Sequence, residues 1–381
     1  MNLSTTYHIS LGSNKGDKFK NLQNAVNAIY NHIGAIKLIS KVYKSPAWGF
    51  NSDDFYNCCL TVNSHLPAQE VLTQLLDIET ALGRERTNAK GYQARVIDLD
   101  IIFIENQIIN TSNLQVPHPE MENRHFVLLP LNDIATKFKH PKLNTTVANL
   151  LDICKDDAIL EPINMWLKNP NKSYNLSKHN YIAIEGNIGA GKTSLATKMA
   201  ADFNAKLILE RYADNPFLPK FYNNAQRYAF TLEMSFLADR YQQITDDLEQ
   251  LDLFKDFVIS DYDIFKSLIF SKITLAQDEF KLYRKLFNLM YKDISKPGLY
   301  VYLYQNTKRL QENIKKRGRD YEQNIENTYL ENINTGYLNF LKNQTELNIK
   351  IIDISTKDFI KNRADYLWLL NEISTHKPLE L

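Results

Sequence analysis

Two stretches of the 381-residue chain place oxygen and nitrogen groups at spacings suited to phosphate chemistry. In Val96-Ile97-Asp98-Leu99-Asp100-Ile101-Ile102 the carboxylates of Asp98 and Asp100 stand two apart in an apolar run. On a strand both project from one face while Ile97, Leu99 and Ile101 fill the other. Two like charges so placed are costly unless a cation neutralises them, which suits Mg²⁺; a solvated strand face is the plain alternative. Arg84, Arg86, Lys90 and Arg95 lie upstream, either as donors for phosphate oxygens or as a solvated basic turn.

The second stretch, Tyr181-Ile182-Ala183-Ile184-Glu185-Gly186-Asn187-Ile188-Gly189-Ala190-Gly191-Lys192-Thr193-Ser194, carries an apolar strand into a glycine-rich turn and then a helical pattern. Gly186-x4-Gly191-Lys192-Thr193 has the spacing of a P-loop. In such a loop backbone N–H groups cradle phosphate, the lysine reaches the outer phosphates and the threonine hydroxyl meets Mg²⁺. The helix N-terminus adds its positive dipole end. A P-loop usually opens its domain, yet roughly half of this chain precedes it, which points to a separate unit in front.

Charged residues make up 23% and hydrophobic ones 44%, with a net charge of +1. These values fit two globular domains with small-molecule partners and no general pull toward nucleic acid or membrane. Cys58, Cys59 and Cys154 cannot build a disulfide framework, so buried thiols in a reducing compartment are expected. With no signal pattern and no apolar run long enough for a membrane span, the expected location is the cytoplasm.

In the first half, strand patterns at 7–11, 36–43, 56–62 and 97–104 and helical ones at 19–33 and 68–82 predict a mixed α/β unit with an antiparallel sheet. His8 is expected to point outward from its strand. Residues 153–160 read as a helix ending, and the polar, proline-punctuated stretch from Asn169 as a linker. The expected organisation is a domain over 1–160, a linker over 161–178 and a second domain over 179–381. In that second domain strands at 205–211, 257–261 and 299–303 accompany a long amphipathic helix through Phe230, Met234, Leu237, Tyr241, Ile244 and Leu248. Glu210 and Asp261 stand at strand ends, where α/β sheets deliver ligand-binding groups. Glu233 and Arg240, seven apart on the helix, can face one ligand. Lys315, Lys316, Arg317 and Arg319 suit a lid over phosphates.

The first half resembles hydroxymethyldihydropterin pyrophosphokinase, the folate-pathway enzyme, over residues 5–155. The resemblance rests on Gly12-Ser13-Asn14, Ser45-Pro46-Ala47-Trp48-Gly49, Asp54-Phe55-Tyr56-Asn57, Gly83-Arg84-Glu85-Arg86, Arg95 to Asp100, and Val116-Pro117-His118-Pro119 with Asn123-Arg124 and Phe126. It implies a ferredoxin-like α+β fold and transfer of the ATP pyrophosphate to the pterin hydroxymethyl group. Asp98 and Asp100 would hold two Mg²⁺ ions. Arg84 and Arg95 would act on the phosphates, with Glu79, Arg86, Lys90, His118 and Arg124 in the nucleotide site. Phe55 and Phe126 would sandwich the pterin, with Ser45, Trp48 and Asn57 around it. Where many relatives carry Arg-Trp-Gly-Pro, this chain has Lys90-Gly91-Tyr92-Gln93. Lysine replaces the lost guanidinium as a point charge but not as a fork.

The second half resembles the deoxynucleoside kinase family over residues 179–375, on the P-loop, Glu210, Tyr222, Glu233, Arg240, Asp261 and Arg317-Gly318-Arg319. This implies a P-loop NTPase domain with a parallel sheet flanked by helices, ATP as co-substrate and a homodimer formed through helices. The cradle would be Gly186, Asn187, Gly189, Ala190, Gly191, Lys192, Thr193 and Ser194, with Mg²⁺ at Thr193 and Asp261. Glu210 would be the general base, with Lys192, Arg317 and Arg319 stabilising the migrating phosphoryl group. Tyr222, Glu233, Arg240 and Glu322 would bind the nucleoside. Asp261-Tyr262-Asp263 replaces the acid-Arg-Ser of relatives, so the arginine that steadies the reacting hydroxyl is missing. Glu233 replaces a base-reading glutamine and, ionised, only accepts hydrogen bonds. That favours a base with an amino group, deoxyadenosine ahead of deoxycytidine. The resulting expectation is a bifunctional enzyme. The competing ones are a deoxycytidine or broad-specificity kinase, a half reduced to a nucleotide-binding or dimerising module, and a nucleoside monophosphate kinase.

Overall fold

The structure, a computed structural model, describes residues 4–48, 52–84, 94–211, 215–250, 252–292 and 294–375, with only the backbone for 249. It divides into two compact units, Met1–Ser173 and Tyr174–Leu381. The first contains β1 (Thr5–Ser13), α1 (Lys18–His32), β2 (Ala35–Ile39), β3 (Tyr43–Ser45), β4 (Phe55–Ser64), α2 (Ala68–Ala81), β5 (Asp98–Ile104), the hairpin β6 (Ile109–Asn110) and β7 (Gln115–Val116), α3 (His125–Ala135), α4 (Val147–Asp152) and β8 (Glu161–Pro162). Its main sheet runs β5-β1-β4-β3-β8 with β2 also on β4, all antiparallel. The Asp17 side chain caps α1 by accepting from the Lys20 N–H, and the helix buries Leu22, Val26 and Ile29. Register does the positioning: Gly12 of β1 pairs with Asn57 of β4 on one side and Asp98 of β5 on the other.

Several expectations need correction. The strand expected over 36–43 breaks after Ile39, where the Ser40 hydroxyl accepts from the Cys59 N–H at 2.8 Å. His8 is buried rather than outward, because β1 carries helices on both faces; it packs on Phe103 and Phe138. Burial pushes its imidazole down to about 4. The helix ends at Asp152, and 154–160 has no helical structure. Residues 161–173, expected as linker, are tied to the first unit: Glu161 and Pro162 pair with β3, and the Asn169 amide donates to the Ile36 carbonyl at 2.8 Å.

The second unit contains β9 (Tyr181–Gly186), α5 (Lys192–Phe203), β10 (Lys206–Ile208), α6 (Leu218–Asn223), α7 (Ala225–Glu249), β11 (Val258–Ser260), α8 (Phe265–Thr274), α9 (Gln277–Tyr291), β12 (Leu299–Tyr304), α10 (Thr307–Arg317), α11 (Asn327–Lys342), β13 (Ile349–Asp353) and α12 (Arg363–Ser374). Its sheet is parallel throughout, in the order β10-β11-β9-β12-β13. Parallel strands need crossover connections and are buried on both faces, which is why β9 and β12 are continuous apolar and aromatic runs. Their carboxyl ends bring Gly186, Glu210 and Asp261 to one edge. Around α7, Leu232, Phe236, Leu237 and Ile244 form a core with Phe265, Tyr283 and Phe287. Among the described residues no helix is long and apolar enough to cross a membrane.

Gly34, between α1 and β2, runs so close to β4 that a Cβ there would stand 2.0 Å from the Asn63 carbonyl oxygen. Gly34→Ala is expected to destabilise the first unit by about 1–3 kcal/mol, the usual range for overpacking, read as a fall in its thermal midpoint. An unchanged midpoint would mean that the strands part without cost.

Candidate active sites

At the joined ends of β1, β4 and β5 lies a cavity of about 230 Å³ lined by Gly12, Ser45, Trp48, Phe55, Asn57, Arg95, Asp98, Asp100, His118, Arg124 and Phe126. It has an aromatic side and a charged side. The Asn57 amide donates to the Ser45 hydroxyl at 2.8 Å, which fixes two polar groups in a cavity that Phe55 and Phe126 also line. On the charged side Arg84 donates to Glu79 and, at 2.5 Å, to Asp98, while Arg95 takes the other Asp98 oxygen. Glu79 is buried and also accepts from the Leu99 N–H at 2.8 Å, so it anchors both Arg84 and the strand that carries the aspartates.

Asp100 is pushed up to about 7, by burial first and the Asp98 charge second, with Arg124 opposing. A carboxylate that resists ionisation beside another is the electrostatic condition that a bound cation relieves. The pair offers hard oxygens on one strand face. That fits Mg²⁺, which is commonly held by one or two carboxylates with water and phosphate completing its shell. Burial, then Arg124, pulls His118 down to about 4, and its Nδ1 accepts from the Glu120 N–H, leaving the proton of the neutral ring on Nε2 as a donor. Asn14 clamps the backbone of Arg95 from both sides, donating to its carbonyl at 3.0 Å and accepting from its N–H at 2.6 Å. Arg86 and Lys90 lie outside the described residues.

The second unit has a cavity of about 110 Å³ reaching from Gly189, Lys192 and Thr193 past Glu210 and Asp261 to Glu233, with Tyr222, Arg317, Arg319 and Glu322 along its side. Gly189 sits at φ +82°, and a Cβ there would stand 3.0 Å from the Leu310 carbonyl oxygen, so the turn accepts only glycine without strain. Lys192 reaches across the loop, donating to the carbonyls of Gly186 and Asn187 at 2.9 Å each. The Thr193 hydroxyl donates to Asp261, whose second oxygen accepts from the Glu210 N–H at 2.8 Å. A hydroxyl beside a carboxylate at the foot of a phosphate cradle fits a Mg²⁺ ion shared with phosphate oxygens.

Glu210 is gripped twice. Arg240 donates to Oε1 through Nε at 2.9 Å and Nη2 at 2.6 Å, and Lys266 donates to Oε2 at 2.6 Å. Burial alone would raise its pKa, but Lys266 and Arg240 outweigh burial and hold it well below the usual carboxylate range. Arg240 therefore faces Glu210 and Ser267, at 2.7 Å, while Glu233 accepts from the Thr274 hydroxyl at 2.8 Å. Burial pushes Glu233 up to about 7, opposed by Arg240 and by the Thr274 hydrogen bond. Arg317 and Arg319 both donate to the buried Glu322, and Tyr222 stacks on Tyr321 with centroids 5.8 Å apart.

Comparison with known proteins matches residues 8–136 to the family 7,8-dihydro-6-hydroxymethylpterin-pyrophosphokinase and residues 182–377 to the family Deoxynucleoside kinase. The chain is 39% identical over 190 residues to the deoxyguanosine kinase of Bacillus subtilis (strain 168), covering 49% of this chain and 92% of that one. It is 35% identical over 141 residues to a 2-amino-4-hydroxy-6-hydroxymethyldihydropteridine pyrophosphokinase of Porphyromonas gingivalis, covering 36% of this chain and 95% of that one. The chain belongs, half by half, to these two families. It also shares 41% identity over 140 residues with the folic acid synthesis protein FOL1 of Dictyostelium discoideum, of whose length it spans 21%.

In the pyrophosphokinase half, the cavity or its supports contain every expected residue that is described. The kinase half likewise gathers its P-loop, Glu210, Tyr222, Glu233, Arg240, Asp261, Glu322 and both lid arginines. Sequence reasoning missed Lys266. The signal was a lone lysine among Ile264, Phe265, Leu268 and Ile269. It also missed the buried Glu185, which accepts from the Asp263 N–H at 2.7 Å and the Tyr337 hydroxyl at 2.9 Å beneath the P-loop. Replacing Glu79 by Ala takes the side-chain acceptor from the Leu99 N–H, at about 1–3 kcal/mol for a buried donor left unsatisfied, and, among the described residues, leaves Arg84 held by Asp98 alone. The pyrophosphokinase half should lose stability and activity together, and assays of the kinase half on the same sample should be unchanged.

Proposed function

We propose that the first half transfers the pyrophosphate of ATP to the hydroxymethyl group of 6-hydroxymethyl-7,8-dihydropterin, releasing AMP. The second half, in this proposal, transfers the γ-phosphate of ATP to the 5′-hydroxyl of a deoxynucleoside, with deoxyadenosine preferred. The observation that carries it is the same in both: one cavity joins a cationic phosphate side to a flat or base-sized side. Asp98 with Asp100, and Thr193 with Asp261, are the groups that would hold Mg²⁺, which when bound neutralises the polyphosphate and aligns it for in-line transfer. Arg84, Arg95 and Arg124 bind phosphates in the first half, and Phe55 and Phe126 hold the pterin. In the second half Lys192, Arg317 and Arg319 serve the phosphoryl group, while Tyr222 and Glu322 hold the sugar. Glu210 is a weak proton acceptor in its double grip, which suits a loose phosphoryl transfer, where orienting the hydroxyl matters more than removing its proton early.

Glu233, which lines the same cavity, is the base reader in this proposal. As a carboxylate it accepts from the adenine amino group. The likeness to a deoxyguanosine kinase supports a second reading, deoxyguanosine, since a carboxylate also accepts from the N–H and amino groups of guanine. Homodimerisation through helices of this half belongs to the same proposal; α9 leaves Leu282 and Leu289 exposed, seven residues apart.

Full-length protein should form AMP with the pterin and ADP with a deoxynucleoside. Lys192→Met should abolish only the second product, and Asp98→Asn should lower only the first, each by roughly 10²-fold or more. ATP binding without one of the products would make that half a binding module, and turnover of dAMP but not deoxyadenosine would make the second a monophosphate kinase. Because kcat/KM reports the free enzyme, its value for deoxyadenosine should fall roughly tenfold per pH unit as pH drops below that of Glu233 ionisation, near 7. Glu233→Gln should remove that limb and weaken the preference for deoxyadenosine; a limb that persists in the variant would assign the titration elsewhere.

A further inference from the structure

Position 262 of the kinase half is a tyrosine, fully buried in the core, whose hydroxyl has no hydrogen-bond partner among the described residues. It cannot reach the cavity. One helical turn further on, in the first turn of α8, Lys266 is nearly buried and lines the cavity, with its ammonium 2.6 Å from Glu210 Oε2. Arg240 already supplies one positive charge to Glu210, so a second buried cation is more than ion pairing requires, and burying it is costly. The lone pairs show what it does. Each carboxylate oxygen accepts about two hydrogen bonds. Among the described residues, Arg240 fills both positions on Oε1, and Lys266 fills one on Oε2.

We propose that Lys266 is the positioning residue of the kinase half: it fixes the Glu210 carboxylate so that the remaining lone pair of Oε2 is the acceptor offered to the nucleoside 5′-hydroxyl. The assignment rests on the reading of this half as a nucleoside kinase. Lys266 replaces, from another turn of the chain, the cation that position 262 lacks. It acts through Glu210, so removing it should misdirect the hydroxyl without loosening the nucleoside, whose base and sugar are held elsewhere in the cavity.

The test is steady-state phosphorylation of deoxyadenosine and the three other deoxynucleosides by the full chain, with ADP affinity as a check on folding. Lys266→Met should lower kcat roughly 10²-fold, the scale of a small misplacement, with KM for the nucleoside within about threefold. Lys266→Arg should recover most of the loss. In a Glu210→Gln background, adding Lys266→Met should cost less than about threefold more, because the group it orients is already altered. The assignment is overturned by a Lys266→Met enzyme with near-normal kcat, by a rise in KM alone, or by an undiminished loss in the Glu210→Gln background. Should Lys266→Met fail to bind ADP, Lys266→Arg decides: kcat within about tenfold of wild type supports the assignment, and a loss equal to that of Glu210→Gln overturns it. Wild-type protein that phosphorylates none of the four nucleosides overturns the reading of the half and the assignment with it; the other failures leave that reading standing.

Discussion

Cations crowded into one cavity repel one another, and in both halves a carboxylate between two of them holds the group together. Asp98 lies between Arg84 and Arg95, Glu210 between Arg240 and Lys266, and Glu322 between Arg317 and Arg319. Without the central anion, each pair would place like charges side by side. With it, donors are oriented before any ligand arrives, so less ordering remains to be done on binding.

The two folds reach this arrangement by different routes. In the antiparallel sheet, neighbouring strands run opposite ways, so one end of the sheet mixes strand starts and strand ends. The cavity of the first half accordingly takes Gly12 from the end of β1 but Phe55 and Asp98 from the beginnings of β4 and β5. In the parallel sheet all carboxyl ends fall on one edge, and β9, β10 and β11 each hand over one group there, the P-loop, Glu210 and Asp261. The two cavities are thus assembled by register in one half and by strand direction in the other.

What was legible in the sequence follows this division. Asp98 and Asp100 could be read from a period of two, and the P-loop from its spacing, because both signals are local. Contacts between distant stretches could not. Lys266 meets Glu210 across 56 positions, and Asn14 meets Arg95 across 81. Neither distance leaves a mark in local pattern. His8 was misread for a different reason: alternation assigns one face of a strand to solvent, and β1 is covered on both. The break at Ser40 depends on a hydroxyl that reaches β4, again a tertiary contact that overrides strand propensity. Residues 161–173 look like a linker by composition, but hydrogen bonds to the first sheet hold them there.

The three clamps differ in how firmly they close. Around Glu210 the side chains of Arg240 and Lys266 are only 4% and 11% exposed, whereas Arg84 and Arg95 are 17% and 26% and Arg317 and Arg319 are 34% and 26%. A buried ion pair exchanges partners only at the cost of leaving a charge bare, while a partly solvated one does so cheaply. The outer clamps are therefore suited to release their guanidinium groups to an incoming phosphate, and in the first half that release would also free Asp98 oxygens. The Glu210 clamp is suited to stay shut. A group that must change partners during turnover belongs at the mouth of a site, and one that must hold a hydroxyl in a fixed direction belongs at its floor. The burial of these six cations follows that order.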